Sequence, residues 1–307
     1  MFQGAAFGAV TSGSDVVLSL FELDALQQLK LSTCTEVRRW DVAPGPRALV
    51  GLADGFATGT SSAFTFVGRD GGASTVPTTP APTALAAADL DADGKPELIA
   101  TLGATAAEAT VIVLRAGIRA QEFPITAASA VASADLDGDS DLDLVVARTT
   151  EHQLTLLTNT AGTLTRGQDL AVCEEPFAIT TLRLATALPT IVVTCRTGGL
   201  ELLRPDGAGG YLHQKLPRTG TLYDTAVADF DLDGNLDLAS VDPFDHRLVF
   251  WWGKAGNLFE DPIEQATSLG PILLRAFEFD RGARPELLVL AFQDRSVTVF
   301  RHEETPR

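Results

Sequence analysis

Asp89-Leu90-Asp91-Ala92-Asp93-Gly94-Lys95-Pro96-Glu97 is one of three near-copies of a single acidic loop. The others are Asp135-Leu136-Asp137-Gly138-Asp139-Ser140-Asp141-Leu142-Asp143 and Asp229-Phe230-Asp231-Leu232-Asp233-Gly234-Asn235-Leu236-Asp237. Each places carboxylates at loop positions 1, 3, 5 and 9. The three windows span 27 residues and hold 13 of the 40 acidic side chains, a density at which like charges repel strongly. Such crowding makes sense around a hard cation. Calcium, which takes roughly six to eight oxygen ligands in a loose geometry, suits donors at alternating positions.

A short apolar run follows every loop: Glu97-Leu-Ile-Ala, Asp143-Leu-Val-Val-Ala and Asp237-Leu-Ala-Ser-Val. With the residue after position 9 as a marker, Leu98, Leu144 and Leu238 are joined by degenerate copies at Leu49, Ile191 and Leu287. The spacings are 49, 46, 47, 47 and 49 residues. A period so constant is the signature of a repeat architecture. Each repeat reads as four short strands; around Leu98 they fall at 84–89 (A), 97–102 (B), 110–115 (C) and 120–125 (D). Strand C is apolar throughout, as in Thr110-Val-Ile-Val-Leu and Arg247-Leu-Val-Phe-Trp-Trp, and the connections carry Gly, Pro, Asp and Asn. Strand A is made of small residues, as in Ala86-Ala-Ala and Ala132-Ser-Ala, which fit where inner strands crowd around an axis. The fold class is therefore all-β, a β-propeller of four-stranded antiparallel blades forming one domain over residues 1–307.

Blade count is set at the ends. Counting one period back from Leu49 makes residues 4–10, 15–22 and 26–32 strands B, C and D of a partial N-terminal blade within 1–34, and the last repeat stops after strand C at Phe300. This predicts a seven-bladed ring with a final blade drawing on both termini, or one closed with two blades short of a strand. A six-bladed ring with extra N-terminal strands outside is the alternative.

Composition narrows the partners. A net charge of −17 disfavours nucleic acid and anionic membranes, and three bound calcium ions would bring it to −11. No apolar run is long enough for a transmembrane helix, and Met1-Phe-Gln-Gly-Ala-Ala-Phe-Gly lacks the basic region of a signal peptide. The expectation is an extracellular, periplasmic or cell-surface protein whose signal has been removed, because loops of this kind work at the calcium levels found outside cells. Cys173 and Cys195 flank strands that pair back on each other. They form either a disulfide or two buried thiols, and Cys34 is left over in both cases.

The pattern Asp-x-Asp-x-Asp-Gly-x-x-Asp-Leu followed by Val, Ile or Ala resembles the FG-GAP/VCBS repeat of integrin-α-like propellers, of bacterial type. The stretch Val249-Phe-Trp-Trp-Gly-Lys-Ala-Gly-Asn-Leu-Phe259 is similar to the strand and Gly-rich hairpin that follow such repeats. The resemblance implies one calcium per intact loop in the A–B hairpin. It assigns the side chains of Asp89, Asp91, Asp93 and Glu97; of Asp135, Asp137, Asp139 and Asp143; and of Asp229, Asp231, Asp233 and Asp237. Lys95, Asp141 and Asn235 at position 7 would contribute their backbone carbonyls. Ser140 stands where the family has the Gly of the sharp turn, which marks that loop as strained or weaker. The Leu49 and Ile191 repeats lack the acids to bind metal, and the Glu278–Glu286 loop is incomplete, with Gly282 at position 5. An EF-hand would need an acid at position 12, where this chain has Ala100, Val146 and Ser240 inside a strand.

No catalytic constellation stands out: there is no Gly-x-Ser-x-Gly, phosphate-cradling Gly loop or His-Glu-x-x-His. His152 and His246 fall in B–C loops, His213 and His302 elsewhere. Trp251 and Trp252, as neighbours on a strand, point to opposite faces and fill the space between blades. Asp242-Pro-Phe-Asp-His-Arg247, Arg148–His152, Arg196 and Gln293–Arg295 gather on the B–C loop face, opposite the acidic loops, where a partner would bind. The functional expectation is a non-enzymatic, calcium-binding adhesion or binding module for protein or glycan. The alternative is a lectin-like or polysaccharide-processing enzyme on the same scaffold.

Overall fold

The computed structural model describes residues 6–12, 15–103, 109–183, 188–256, 258–278 and 284–300. Seven antiparallel sheets in sequence order form the blades, six of four strands and a last one of three among the described residues, and a two-stranded hairpin pairs Gly253–Lys254 with Leu258–Phe259 in blade 6. The innermost strands A are Ala6–Ser12, Leu49–Leu52, Pro82–Ala88, Ala128–Ala134, Pro176–Leu182, Asp224–Ala228 and Pro271–Phe277. Strands B are Asp15–Leu20, Gly55–Gly59, Glu97–Leu102, Asp143–Arg148, Thr190–Cys195, Asp237–Asp242 and Glu286–Ala291. Strands C are Ala25–Lys30, Ala63–Gly68, Thr110–Arg115, Gln153–Thr160, Gly199–Pro205, Arg247–Trp251 and Ser296–Phe300. Strands D, on the rim, are Thr35–Asp41, Ala73–Pro77, Ile118–Pro124, Thr163–Ala171, Tyr211–Leu216 and Ile263–Ala266. Each strand A touches the next, and that of blade 7 touches that of blade 1, so the ring closes with seven blades.

The sequence of each strand follows from its depth. Strand B lies mid-blade with a neighbouring sheet on either side, so Glu97–Leu102, Thr190–Cys195, Asp237–Asp242 and Glu286–Ala291 are buried at every position. Such strands read as continuous apolar runs rather than alternating ones. Strand D meets solvent on one side and is mostly exposed, as in Thr35–Asp41. Apolar clusters fill each seam between blades. Trp251, 1% exposed, fills the seam of blades 5 and 6, while Trp252 packs in that of blades 6 and 7, its ring stacked on Phe250.

Two expectations about the N-terminal blades are corrected. Residues 6–12 form strand A, not strand B, and the first blade is a complete four-stranded sheet spanning residues 6–41 rather than a partial one within 1–34. Leu49 likewise opens strand A of blade 2, whereas Leu98, Leu144, Ile191, Leu238 and Leu287 are all the second residue of strand B. The cause is a change of hairpin. In blades 1 and 2 strand A turns tightly into strand B, with Ser12 paired to Asp15 and Leu52 to Gly55, where blades 3, 4 and 6 interpose the acidic loop. Among the described residues the first and last blades share no sheet; Ala9, Leu18 and Leu20 pack against Leu273, Phe277 and Leu288, and Arg295 pairs with Glu22 at 3.0 Å.

Candidate metal centre and ligand face

Each acidic loop links strands A and B, in blades 3, 4 and 6. Its position 2 side chain is an anchor: Leu90, Leu136 and Phe230 are 1%, 8% and 4% exposed and sink into the seam with the next blade. The position 2 N–H then donates to the position 9 carboxylate, at 2.8 Å in all three loops: Leu90 to Glu97, Leu136 to Asp143, Phe230 to Asp237. Position 9 opens strand B and is buried, which draws its carboxylate under the loop. The outcome is three triads whose oxygens lie within 4.8 Å of one another: Asp89, Asp91 and Glu97; Asp135, Asp137 and Asp143; Asp229, Asp231 and Asp237. These join positions 1, 3 and 9. Position 5 is outside the triads: Asp93, Asp139 and Asp233 each accept the N–H of position 7 (Lys95, Asp141, Asn235) at 2.8 Å.

The triads suit a hard cation. Every donor is a carboxylate oxygen, and each carboxylate has about four lone-pair sites, of which the loop amides use only some. Asp237 has both oxygens occupied once, by the N–H groups of Phe230 and Gly253, and is otherwise open. Burial raises its pKa from the ordinary carboxylate value to about 6, with Asp231 and Asp229 adding repulsion. Burial likewise raises Asp143 and Glu97. Carboxylates that resist ionisation in the free fold are the ones a cation relieves.

The three triads are not equivalent. At the first, Arg115 at the end of strand C brings its Nε to 3.3 Å from Asp91 and 3.5 Å from Glu97. Its Nη2 donates to the Gly162 carbonyl in the C–D turn of blade 4, so the guanidinium is held over the carboxylates. At the second, Asp135 has Arg183 at 3.9 Å, and its Oδ1 takes the N–H of Gly138 instead of the position 5 N–H that Asp89 and Asp229 accept. Ser140 adopts φ +77°, as the missing Gly leads one to expect. No Arg or Lys lies within 4.0 Å of the third triad among the described residues. Asn159, fully buried, donates to the carbonyls of Leu90 and Leu142 and so ties the first two loops together. Arg115 and Asn159 escaped sequence reasoning because they lie on strand C, outside the motif. Of the incomplete Glu278–Glu286 loop, Asp280 and Gly282 lie outside the described residues, as does His302.

Beside the second triad is a cavity of about 490 Å³ in the seam of blades 4 and 5, lined by Asp137, Asp143, Leu157, Leu188 and Tyr211. Burial, together with Asp143 and Asp137, pushes the Tyr211 hydroxyl up.

On the opposite face the two B–C loop histidines are structural. His152 and His246 each close their loop at positive φ and accept, through Nδ1, an N–H of the following connector, from Glu175 and Gly270 at 3.0 Å. The face carries two aromatic clusters, each with an arginine. Arg196 lies 5.2 Å from the Phe177 ring centroid and 5.5 Å from that of Tyr223, which in turn meets Phe244 edge-on. Arg47 lies over Phe7 and Phe21, and Phe7 touches Phe292. Phe7 and Phe177 occupy the same place in their blades, the second residue of strand A, where the register with strand B slips and a bulge re-aims the side chain. Phe244 is 66% exposed.

Cys173 and Cys195 are joined in a disulfide, with Cα atoms 5.9 Å apart, and Cys34 is free and exposed. No helix among the described residues is long and apolar enough to cross a membrane.

No protein-family model matches the chain, and none of the curated proteins does. Solved structures do. The β-propeller domain of Cps50 (Swd1) from Myceliophteria thermophila is similar at 11% identity and a TM-score of 0.72, over 99% of both chains. BBS1N, crystallised in complex with ARL6DN, is similar at 12% identity and 0.70, over 98% of this chain and 93% of that one. Kuenenia stuttgartiensis hydrazine synthase is similar at 12% and 0.70, over 99% of this chain and 100% of that one. At such identities the likeness is one of fold.

Proposed function

We propose that this propeller is a calcium-binding, non-enzymatic binding module of the FG-GAP/VCBS type, working outside the cytoplasm on a protein or glycan. The observation that carries the reading is the threefold recurrence of a buried position 9 carboxylate within 4.8 Å of the carboxylates at positions 1 and 3. Asp89, Asp91 and Glu97, and their counterparts in the other two loops, would hold the ion; bound calcium would supply positive charge that staples strand A to strand B. The disulfide supports an oxidising compartment, where such bonds persist. Partner binding falls to the opposite face, where Phe177, Arg196, Tyr223 and Phe244 offer flat rings and a cation, surfaces that serve sugar or peptide recognition.

The test is a calcium titration of chelator-treated protein, followed by metal analysis and melting curves. Bound calcium at one to three ions per chain with a rise in Tm is expected. Absence of both binding and shift would reduce the loops to hydrogen-bonded turns and remove the case for a calcium-rich compartment.

A further inference from the structure

Glu201, on strand C of blade 5, is a charged side chain in an apolar seam. It is 2% exposed, and Val193 and Leu203 on the same face of its sheet pack against blade 4. Its Oε1 lies 2.8 Å from Nδ1 of His213 on strand D. Its Oε2 is buried and has no hydrogen-bond partner among the described residues. What lies beside it is the Cys173–Cys195 bond: both Sγ atoms and a Glu201 carboxylate oxygen fall within 4.8 Å of one another. A disulfide has no hydrogen to donate, so it offers the orphaned oxygen nothing. A buried carboxylate so placed is destabilising unless a proton or a positive charge meets it.

The same residues make a coherent set once the bond is reduced. Four donors then converge: two thiolates, the Glu201 carboxylate and the His213 imidazole. Two sulfurs, a nitrogen and an oxygen suit tetrahedral zinc, whereas calcium takes oxygen alone. Backbone hydrogen bonds keep the two cysteines together without help from the S–S link. Val172 and Glu175, on either side of Cys173, donate their N–H groups to the carbonyl and Nδ1 of His152, each at 3.0 Å. Arg196 donates to the Glu175 carbonyl at 3.0 Å, and Cys195 pairs with Pro176 on one side and Gly199 on the other. Entry is from the rim, where the His213 side chain is 40% exposed.

From this we infer that Cys173, Cys195, Glu201 and His213 form a zinc site that the disulfide closes and reduction opens. A dithiol delivers two electrons and two protons to the S–S bond, is itself oxidised to a disulfide, and leaves two thiols. Zinc takes both sulfurs as thiolates and releases the two protons to water, and Glu201 and His213 complete the shell. In the oxidising compartment proposed above the bond persists; zinc replaces it where such a reductant reaches the chain. Either cross-link ties the connector after blade 4 to blade 5. The inference depends neither on calcium binding nor on a partner.

Cobalt(II) is the probe, added to the full chain carrying Cys34→Ser so that the exposed thiol contributes nothing. Thiolate-to-cobalt charge transfer reads sulfur ligation alone, whatever the acidic loops take up. A water-soluble phosphine reduces the bond without introducing a competing thiol. The reduced chain is expected to show charge-transfer absorption and tetrahedral d–d bands saturating at one cobalt per chain, both lost on adding zinc. The oxidised chain should show neither, and Cys195→Ser should abolish the signal. Glu201→Gln and His213→Gln, checked for folding by circular dichroism, should each weaken zinc at least about ten-fold, the loss seen even for groups that merely orient a metal ligand. His213 is on the rim, so its variant decides the matter if the Glu201 variant does not fold. The inference is overturned by a bond that the phosphine leaves intact in the folded chain, or by blades that unfold on reduction in the presence of zinc. A reduced, folded chain without the charge-transfer signal overturns it too, as does zinc affinity indifferent to His213→Gln.

Discussion

Under the proposed calcium reading, Arg115 lies where the cation would, and the loops are expected to differ in affinity for that reason. A guanidinium within 3.5 Å of two triad carboxylates already neutralises much of the charge that attracts calcium, while the third triad has no such competitor among the described residues. Calcium is therefore expected to enter the Asp229–Asp237 loop first and the Asp89–Glu97 loop last. Asp237→Asn should remove the tightest site in isothermal titration, and Arg115→Gln should strengthen the weakest about ten-fold; equal affinities in the wild type would refute this order. Ser140 offers an independent check. Its φ of +77° suits glycine, so Ser140→Gly should raise stability by about 1 kcal/mol in denaturant titration. The motif alone made the triad acids legible, because position fixes which carboxylates meet. The counter-charge was hidden, since Arg115 approaches from a strand that only the blade's fold brings near.

Two elements hold the B–C loop face in shape. Asp242 ends strand B of blade 6, accepts the N–H groups of Phe244 and Asp245, and pairs with Arg218 of the preceding connector at 2.5 Å. Both ions are almost wholly buried, and Arg218 reaches on to Glu264. Burial works against the Asp242 charge, but those amides and Arg218 outweigh it and hold its pKa below the ordinary value. A depressed carboxylate stabilises the fold above its unfolded pKa, near 3.9. That contribution is lost as pH falls through the lower, folded value. Asp242→Asn should flatten the acid limb of the stability profile and cost about 3–5 kcal/mol, by breaking a buried ion pair and leaving Arg218 with only the half-exposed Glu264. An unchanged acid limb would assign acid sensitivity to other groups. The Cys173–Cys195 bond fastens the connector into blade 5 against strand B, closing 22 residues of chain, and Cys173→Ala with Cys195→Ala should cost roughly 3 kcal/mol in urea. Strand type and order were readable wherever the acidic loop kept its length. At Leu49 the reading slipped by a strand, because an apolar run after a Pro looks the same whether it opens strand A or strand B. Only the pairing of Leu49 with Thr58 separates the two.

At the scale of the ring, charge and closure act together. The acidic loops lie on one face, so 13 of 40 acids in a protein of net charge −17 are concentrated on a single end of the ring. The blades meet through their seams, and among the described residues the last seam is closed by apolar contact and the Arg295–Glu22 pair, with no shared sheet. Repulsion across the acidic face thus acts on an assembly whose first and last blades are joined by apolar packing and by the Arg295–Glu22 ion pair at 3.0 Å. Monovalent salt shortens the reach of that repulsion to about 8 Å at 0.15 M. In chelator, Tm should climb as sodium chloride is raised over this range. Three bound calcium ions would lower the net charge to −11, and at saturating calcium the same salt should change Tm less. A salt response identical with and without calcium would mean that the loops' charges are not what strains the ring.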